Sequence, residues 1–330
     1  MSSSYSSYVA QRVQASERTA GVAAPPGVVY GLLADAVRWP LLLPGPVHVE
    51  RMDFDGTQER LRLWDVDAAG ERVRSFHMRR VLSPHARTVD FELEDTFRMG
   101  VPTTGRWTVD ASDDTQSLLT LRQERTLEGL PGESSERSRR EWDEETEAQL
   151  AQVKEIAERW KQLDQLLLSF EDSVHVAAPA ELVYDFLYRI GDWPELVPHV
   201  DAARVVEDVP GVQLASVDGF VEPDGLSATT RTVRLCFPAA ARIVYKELSS
   251  PELIAAHSGE WSLEPDEDGV RVVCAQQVLL REEAVGPVLG GGTELAEARR
   301  YVRDGLGRAS VETLRLATWH ALNSGVRRLR

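Results

Sequence analysis

Residues 22–44 read VAAPPGVVYGLLADAVRWPLLLP, and residues 176–198 read VAAPAELVYDFLYRIGDWPELVP. The two stretches are 154 residues apart, and 11 of their 23 positions are identical without a gap. The same offset holds downstream, where a Gly-x-Trp motif at residues 105–107 pairs with another at residues 259–261. The chain is therefore predicted to be a tandem duplication of one domain, with too few copies and too long a period for a solenoid.

Each copy shows the same order of secondary-structure signals. A short strand ends at Ala-Ala-Pro, where the proline can begin a helix. That helix is interrupted at Trp39-Pro40 and at Trp193-Pro194, because proline disfavours helical conformation in the residue before it. Alternating apolar and polar residues then predict an antiparallel meander of six strands, which in the first copy are residues 47–52, 60–66, 72–81, 88–93, 105–109 and 118–127.

A long amphipathic helix is predicted to close each copy. Its apolar stripe in the first copy is Leu150, Val153, Ala157, Trp160 and Leu167. In the second copy it is Leu295, Ala298, Val302, Leu306, Ala309 and Leu316. The predicted fold class is α+β, with a curved antiparallel sheet around one long C-terminal helix, made twice. We expect a disordered tail over residues 1–15, a first domain over 16–170 and a second over 171–330.

Composition excludes several classes of protein. The hydrophobic content of 42% and charged content of 27% are ordinary globular values, so wholesale disorder is excluded. A formal charge of −16 argues against a nucleic-acid binder or a protein that docks on anionic membranes. No apolar run is long enough for a membrane span, and the N-terminus does not resemble a signal peptide. The two cysteines, Cys236 and Cys274, are interpreted as small buried hydrophobes of a cytoplasmic protein.

The usual signatures of catalysis are missing. The seven histidines show no metal-ligand spacing with one another or with cysteine, so neither a metal nor a cofactor is predicted. There is no P-loop lysine and no GxSxG nucleophile motif. What remains is arginine inside a sheet: Phe76, Met78 and Arg80 alternate on one face of a predicted strand. This pattern fits the lining of a deep pocket as well as a rim arginine in an ion pair.

The second copy gives conflicting signals. Strand periodicity places Arg234 outside, on a face with Thr230, Thr232 and Cys236. The repeat places it inside, because it is the counterpart of Arg80. A polar-lined cavity, with the other sheet face covered by the other copy or another subunit, would satisfy both.

With these residues the chain resembles the two-domain aromatase/cyclases of bacterial type II polyketide synthases, in the START-like (Bet v 1-like) polyketide cyclase superfamily with its helix-grip fold. The resemblance covers nearly the whole chain and rests on GDWPELVPHV (191–200), TVRLCFP (232–238), RIVYKE (242–247), AAHSGEW (255–261) and RLWDVDAAGERVRSFHMRRV (62–81). It implies an enzyme that folds a carrier-bound poly-β-ketone and directs the first aldol ring closure, usually between carbons 7 and 12. It also implies dehydration that makes this ring aromatic.

The resemblance implies roles for particular residues. Arg80 and Arg234 would stabilise developing negative charge, and the fork of arginine can bridge two carbonyl oxygens. Trp64, Phe76, Met78 and Met99 would shape the first pocket, and Thr230 and Thr232 would line the second. Asp218, His257 and Ser310 are candidates for the proton relay of dehydration, although His257 is equally suited to a structural role. We expect Arg80 to steer ring closure and Arg234 to serve dehydration.

The chain departs from the family pattern at three places. Met78 replaces a pocket serine or threonine, a tyrosine just after the Trp-Pro turn is absent, and Glu145 and Ser310 replace an asparagine of the long helix. Two other functions therefore stay open: a non-catalytic carrier of hydrophobic ligands, and a cyclase that acts on a later ring. An acyl carrier protein is the expected partner, docking through Arg137, Arg139 and Arg140 or through Arg299, Arg300 and Arg303. Neither nucleic acid nor membrane is expected to bind, and the sequence does not give the oligomeric state.

Overall fold

The computed structural model describes residues 12–94, 103–127, 132–198, 200–221 and 227–327. The chain divides into two compact units. The first consists of residues 1–39, 48–65 and 74–161, and the second of residues 40–47, 66–73 and 162–330. Each sheet has seven strands, and none of the described helices is long and apolar enough to cross a membrane.

The first sheet is an antiparallel meander closed by its first strand. Its strands are β1 (Arg12–Val22), β2 (Pro46–Phe54), β3 (Gln58–Val66), β4 (Val73–Ser83), β5 (Thr88–Leu93), β6 (Thr103–Ala111) and β7 (Ser117–Leu127). Their order is β1-β7-β6-β5-β4-β3-β2, so the first strand pairs with the last. All six strands that alternation predicted are present, which confirms the meander.

The disordered N-terminal tail that we expected over residues 1–15 extends too far into the chain. Residues 12–15 were expected to be disordered, but they begin β1, which pairs with β7 from Arg12 opposite Leu127 to Val22 opposite Ser117. The Ser-rich composition before residue 12 gives no signal of where this pairing begins. Residues 1–11 lie outside the described part of the chain.

The helices of the first copy are α1 (Pro26–Ala34), α2 (Trp39–Leu42), α3 (Gly132–Glu158) and α4 (Trp160–Leu166). Proline begins α1 as predicted. On α3, Leu150, Val153 and Ala157 are buried, as the predicted stripe requires. Leu167 does not belong to this helix, because it begins the next strand. The expected domain boundary at 170/171 therefore falls inside a strand of the second sheet.

The second sheet repeats the topology of the first. Its strands are β8 (Leu167–Val176), β9 (Ala202–Val209), β10 (Val212–Val221), β11 (Ser227–Phe237), β12 (Arg242–Glu247), β13 (Ile254–Pro265) and β14 (Val270–Leu280). Their order, β8-β14-β13-β12-β11-β10-β9, matches that of the first sheet. The helices are α5 (Ala180–Tyr188), α6 (Trp193–Leu196), α7 (Val285–Leu289) and α8 (Leu295–Arg327).

The buried stripe of α8 differs from the predicted one in its second half. Ala298 and Val302 are buried as expected, but Ala309 is exposed. The stripe continues through Ser310, Leu314, Ala317 and Ala321. Apolar periodicity missed this face because a serine occupies one of its central positions.

The glycines of the two Gly-x-Trp motifs let an aromatic ring lie flat across the sheet. A Cβ atom added at Gly105 would lie 2.4 Å from Phe91 Cζ, and one added at Gly259 would lie 2.4 Å from Tyr245 Oη. Any larger residue would displace these rings from the inner faces. Matched tryptophans hold the first helix of each copy, since Trp39 Nε1 donates to the carbonyl of Leu32 at 3.0 Å and Trp193 Nε1 to that of Phe186 at 3.1 Å.

Candidate functional site

Arg80 lies on the inner face of the first sheet and binds the end of α1. It is 1% exposed, and its Nη1 and Nη2 donate to the carbonyls of Leu33 (2.9 Å) and Ala34 (2.6 Å). Nη2 also forms an ion pair with Glu59 Oε1 at 2.7 Å. A cation at a helix C-terminus satisfies carbonyls that lack a partner within the helix and opposes the negative end of the helix dipole. Arg80 therefore fixes α1 to the sheet.

The guanidinium of Arg80 is almost fully occupied by the protein itself. Burial lowers the pKa of Arg80, and the Glu59 carboxylate opposes that shift. The other oxygen of Glu59 accepts from Arg51 Nε at 2.9 Å. Arg80 Nε is buried without a hydrogen-bond partner, whereas both Nη atoms are engaged. This geometry disagrees with our prediction that the fork of Arg80 bridges two substrate oxygens.

Arg234 repeats the arrangement with a neutral partner. Its Nη2 donates to the carbonyl of Leu187, and its Nη1 donates to Gln213 Oε1 at 2.8 Å and to the carbonyl of Tyr188 at 3.4 Å. Gln213 connects Arg234 to a carboxylate, because its Nε2 donates to Glu207 Oε2 at 2.9 Å. Leu187 and Tyr188 end α5, so this arginine also anchors a helix C-terminus. The second copy has kept the anchor but not the directly paired carboxylate.

The repeat, rather than strand periodicity, predicted the face of Arg234 correctly. Arg234 is buried on the inner face, and its neighbours Val233 and Leu235 are buried on the outer face. On that outer face, Lys246 donates to three main-chain carbonyls of the segment 43–46, which belongs to the same compact unit. Val233 and Leu235 are therefore buried although they face away from Arg234, and strand periodicity alone could not distinguish the two faces of β11.

Trp64 lies on the other side of the first sheet from Arg80. In the β3–β4 hairpin, Asp67 N donates to Arg72 O near the turn, and Glu59 forms an ion pair with Arg80 further along. Both contacts fit the same antiparallel register, in which Glu59 lies opposite Arg80. Odd-numbered residues of β3 thus face inward, and Trp64 faces outward, where its ring lies 4.5 Å from the Arg62 guanidinium. The prediction that Trp64 shares a pocket with Arg80 is wrong, because Trp64 takes an even-numbered position of β3 and these positions face outward.

Asp218 is displaced in the same way. On β10 the buried residues Ala215 and Val217 face inward, so Asp218 faces outward, and it accepts a hydrogen bond from Thr229 Oγ1 at 2.6 Å. The structure does not bring it together with Arg234 or His257.

The remaining predicted lining residues share the expected faces. Phe76 and Met78 pack in an apolar cluster on the inner face of the first sheet with Leu61 and Leu63. Thr230 and Thr232 alternate with Arg234 on the inner face of β11, and Thr232 lies opposite Glu247 of β12. Met99 lies outside the described residues.

A chain of buried polar side chains crosses the inner face of the second sheet and ends on α8. His257 Nδ1 forms an ion pair with Glu247 Oε1 at 2.9 Å, and His257 Nε2 lies 3.0 Å from Gln276 Oε1. Gln276 Nε2 donates to Ser310 Oγ at 2.7 Å, and Ser310 Oγ donates to the carbonyl of Leu306 at 3.0 Å. Two predicted relay residues, His257 and Ser310, are thus joined through a glutamine.

The surroundings of this chain decide which groups can change charge. Burial by itself would lower the pKa of His257, but the Glu247 carboxylate and the hydrogen bonds raise it above the ordinary value. Burial raises the pKa of Cys274 to about 11, and it raises that of Tyr245 well above 10. Tyr245 and Cys274 therefore stay neutral near pH 7, which leaves the contact of Glu247 with His257 as the place in this cluster where a charge could lie.

A groove of about 810 Å³ lies over the first sheet and is lined mainly by charged residues. Its arginines are paired: Arg106 with Asp90, Arg122 with Glu124 at 2.7 Å, and Arg79 with Glu94. Alternation places most of these side chains on the outer face. This groove is therefore not the pocket that the sequence predicted beneath the long helix.

Comparison with known proteins agrees with these two repeated units. Residues 168–315 match a family model described as polyketide cyclase/dehydrase and lipid transport. Over 305 residues, 92% of this chain and 93% of the relative, the sequence is 33% identical to the granaticin polyketide synthase bifunctional cyclase/dehydratase of Streptomyces violaceoruber. The chain belongs to the polyketide cyclase/dehydratase family.

Two further members of this family are similar over almost the whole chain. The actinorhodin polyketide synthase bifunctional cyclase/dehydratase of Streptomyces coelicolor is 32% identical and covers 89% of this chain, which spans 92% of that relative. The crystal structure of the di-domain ARO/CYC BexL from the BE-7585A biosynthetic pathway matches 93% of this chain and 98% of its own, with a TM-score of 0.82 and 33% identity. The predicted duplicated helix-grip fold is confirmed.

In this cyclase/dehydratase, the counterpart of Ser310 is Thr146 rather than Glu145. Thr146 is fully buried and bonds to the carbonyl four residues earlier, as Ser310 does, whereas Glu145 is exposed. The two buried helix stripes run in step with an offset of 164, because the second copy has extra residues before its long helix. Our comparison of Glu145 with Ser310 is therefore wrong by one position.

Sequence reasoning missed two members of the polar chain, Glu247 and Gln276. A signal for Glu247 was available, because the 154-residue offset pairs it with Leu93, and a carboxylate that replaces an inward leucine is informative. Gln276 was harder to find. Gln276 lies opposite Gly259, and Gln123 lies opposite Gly105, so strand pairing makes Gln123 the counterpart of Gln276. The two glutamines are 153 residues apart, so the 154-residue offset does not align them.

Proposed function

We propose that this cyclase/dehydratase closes the first ring of a carrier-bound poly-β-ketone, between carbons 7 and 12, and removes water to make that ring aromatic. The aldol step would take place against the inner face of the first unit, and the dehydration against that of the second. The observation that carries this division is the buried pair of Glu247 with His257, which has no counterpart at the matched positions Leu93 and Thr103.

The first unit offers an apolar wall held in place by a buried cation. Phe76, Met78, Leu61 and Leu63 form the wall, which suits the folding of a long flexible chain. Arg80 supports this wall by holding α1, because its buried guanidinium is engaged by Glu59 and by the end of that helix. Regiospecificity would then follow from the shape of the wall rather than from a bidentate arginine.

The second unit offers groups for proton transfer. Loss of water from a β-hydroxy ketone needs removal of an α-proton and delivery of a proton to the leaving oxygen. His257 and Ser310 belong to the buried polar chain, and Thr230 and Thr232 share its face with Arg234. Asp218 is left out of this proposal, because it faces away.

The partner in this proposal is an acyl carrier protein that bears the polyketide. Arg137, Arg139 and Arg140 are exposed on α3 and are candidates for its docking. In the other predicted cluster, Arg299 donates to the carbonyl of Leu167 at 2.7 Å and Arg303 pairs with Asp172 at 2.7 Å. These two hold α8 on β8, so we propose the cluster on α3. A cytoplasmic location, without a metal or cofactor, remains our prediction.

Product analysis in a reconstituted minimal polyketide synthase tests the function. Adding the wild-type protein should convert shunt products into a product with an aromatic first ring closed between carbons 7 and 12. Phe76→Ala should remove bulk from the apolar wall of the first unit and increase the fraction of products with a wrongly closed ring. Phe54→Ala, at an exposed position of β2, serves as a matched control. A product profile that does not change when the protein is added would favour a non-catalytic ligand carrier, and closure of another ring would favour a later cyclase.

A further inference from the structure

Donors and acceptors in the buried polar chain can be assigned one after another, beginning at a main-chain carbonyl. The carbonyl of Leu306 can only accept, so the single proton of the Ser310 hydroxyl must point to it. Ser310 Oγ must then accept from its other neighbours. Gln276 Nε2 donates to it at 2.7 Å, and the Cys274 thiol donates at 3.6 Å. Because its amide nitrogen faces Ser310, Gln276 presents its oxygen to His257.

This direction fixes the protonation of His257. Nε2 lies 3.0 Å from an amide oxygen, which accepts only, so Nε2 must carry a proton. Nδ1 lies 2.9 Å from Glu247 Oε1, and a carboxylate also only accepts. A neutral imidazole has one N–H, and would place a lone pair against one of these oxygens. We infer that Glu247 and Gln276 hold His257 as an imidazolium ion, and that Glu247 is the accessible end of this acid–base couple.

Exposure distinguishes the two ends of the couple. The side chain of His257 is 4% exposed, with Nε2 bound to Gln276 and Nδ1 2.9 Å from Glu247, whereas the side chain of Glu247 is 14% exposed. Ser250 Oγ donates to the second oxygen of Glu247 at 3.1 Å, and Thr232 lies opposite it on β11. Glu247 is therefore the member of the pair that can touch a substrate. His257 acts behind it as a positioning residue.

The groups that face His257 support a fixed charge on its ring. Glu247 and Tyr245 face it from β12 and Gln276 from β14, and the Tyr245 and His257 rings form a T-shaped pair with centroids 5.6 Å apart. The pKa of His257 is raised despite its burial, and Tyr245 stays neutral because its own pKa is raised. Among these neighbours, Glu247 is the acidic group, and its ion pair with His257 favours the imidazolium.

This couple deepens the proposed function, on which its chemical role rests. The carboxylate of Glu247 would take the α-proton of the aldol product as the enolate forms. It would return that proton to the β-hydroxyl group, whose C–O bond breaks as the C=C bond forms, so that water leaves. One C–H and one C–O bond are broken, the second bond of C=C and one O–H bond are formed, and no proton is gained or lost overall.

Nitrogen NMR of ¹⁵N-histidine-labelled protein tests the charge directly, with His257→Asn to assign the signal. At pH 7 both ring nitrogens of His257 should show imidazolium shifts, and Glu247→Gln should convert the ring to a neutral tautomer. The exposed pair of His175 with Asp266, 3.1 Å apart, supplies a matched control, since Asp266→Asn should leave the His257 signal unchanged. A neutral His257 in the wild-type protein would overturn the inference, whatever the protein does to polyketides.

The chemical role has its own test in the reconstituted synthase. Glu247→Gln should lower dehydration by about a hundredfold or more while ring closure continues, and Glu247→Asp should restore part of the rate. Both variants are compared by NMR with the wild type to establish that the second unit is folded. Dehydration at the wild-type rate in Glu247→Gln would overturn the role of Glu247, and the NMR result would still decide the charge. If the wild-type protein processes no polyketide, the proposed function fails instead.

Discussion

The first and second sheets have the same strand order and the same tryptophan and arginine anchors. They differ at inward-facing positions of β5 and β6 in the first sheet and of β12 and β13 in the second. The first sheet presents Phe91, Leu93 and Thr103, and the second presents Tyr245, Glu247 and His257 at the matched positions. The arginine anchors hold the end of the first helix in both copies. Duplication has therefore kept the residues that build the domain and changed those that can move a proton.

We expect the two arginine anchors to differ most in the unfolding free energy that is lost when each is replaced by alanine. Arg80→Ala leaves the Glu59 carboxylate buried, with the exposed Arg51 as its remaining partner, and should cost about 3–5 kcal/mol of unfolding free energy. Arg234→Ala leaves only neutral groups unsatisfied at Gln213 and the end of α5, so the expected cost is about 1–3 kcal/mol.

Chemical denaturation of the full chain, followed by circular dichroism, measures this difference. Arg122→Ala serves as the control, because Arg122 forms an exposed ion pair with Glu124 whose loss should change stability little. A larger loss for Arg234→Ala than for Arg80→Ala would show that the buried ion pair is not what separates the two anchors.

A smaller effect is expected in the pH dependence of stability. The pKa of His257 is raised on folding, so its ion pair stabilises the native state fully below the unfolded value of about 6.5. That contribution is lost as the pH rises through the folded-state pKa. The difference in unfolding free energy between wild type and His257→Asn should therefore shrink between neutral and alkaline pH. A difference that stays constant over this range would mean that His257 is buried as the neutral form.

The fold was predictable because its signals are periodic and occur twice. The 154-residue repeat, the alternation of the strands and the Trp-Pro turns each restrict the same topology, and the two sheets follow it. The stripe of α8 was only half predicted, since Ser310 has no apolar signal although its hydroxyl bonds to the helix itself. Leu167 continued a helical period but begins a strand, because pairing with β14 outweighs local propensity.

The site was predictable only in part, because a spacing does not say which face of a strand a residue takes. His257 and Ser310 were selected as single residues, and the glutamine that joins them lies outside the repeat offset. Trp64 and Asp218 were aligned correctly with each other, yet both face outward. The anchoring role of the arginines depends on main-chain carbonyls, which leave no trace in the sequence.

The central claim, that dehydration belongs to the second unit alone, is tested most directly by a matched pair of variants in the reconstituted synthase. His257→Asn removes the charged ring of the second sheet, and Thr103→Asn makes the same replacement at the corresponding position of the first. Products are separated and identified by mass spectrometry as hydrated or dehydrated after the first ring has closed. The account predicts that His257→Asn accumulates the ring-closed, hydrated product and that Thr103→Asn gives the wild-type product. Accumulation of the hydrated product with Thr103→Asn but not with His257→Asn would contradict it.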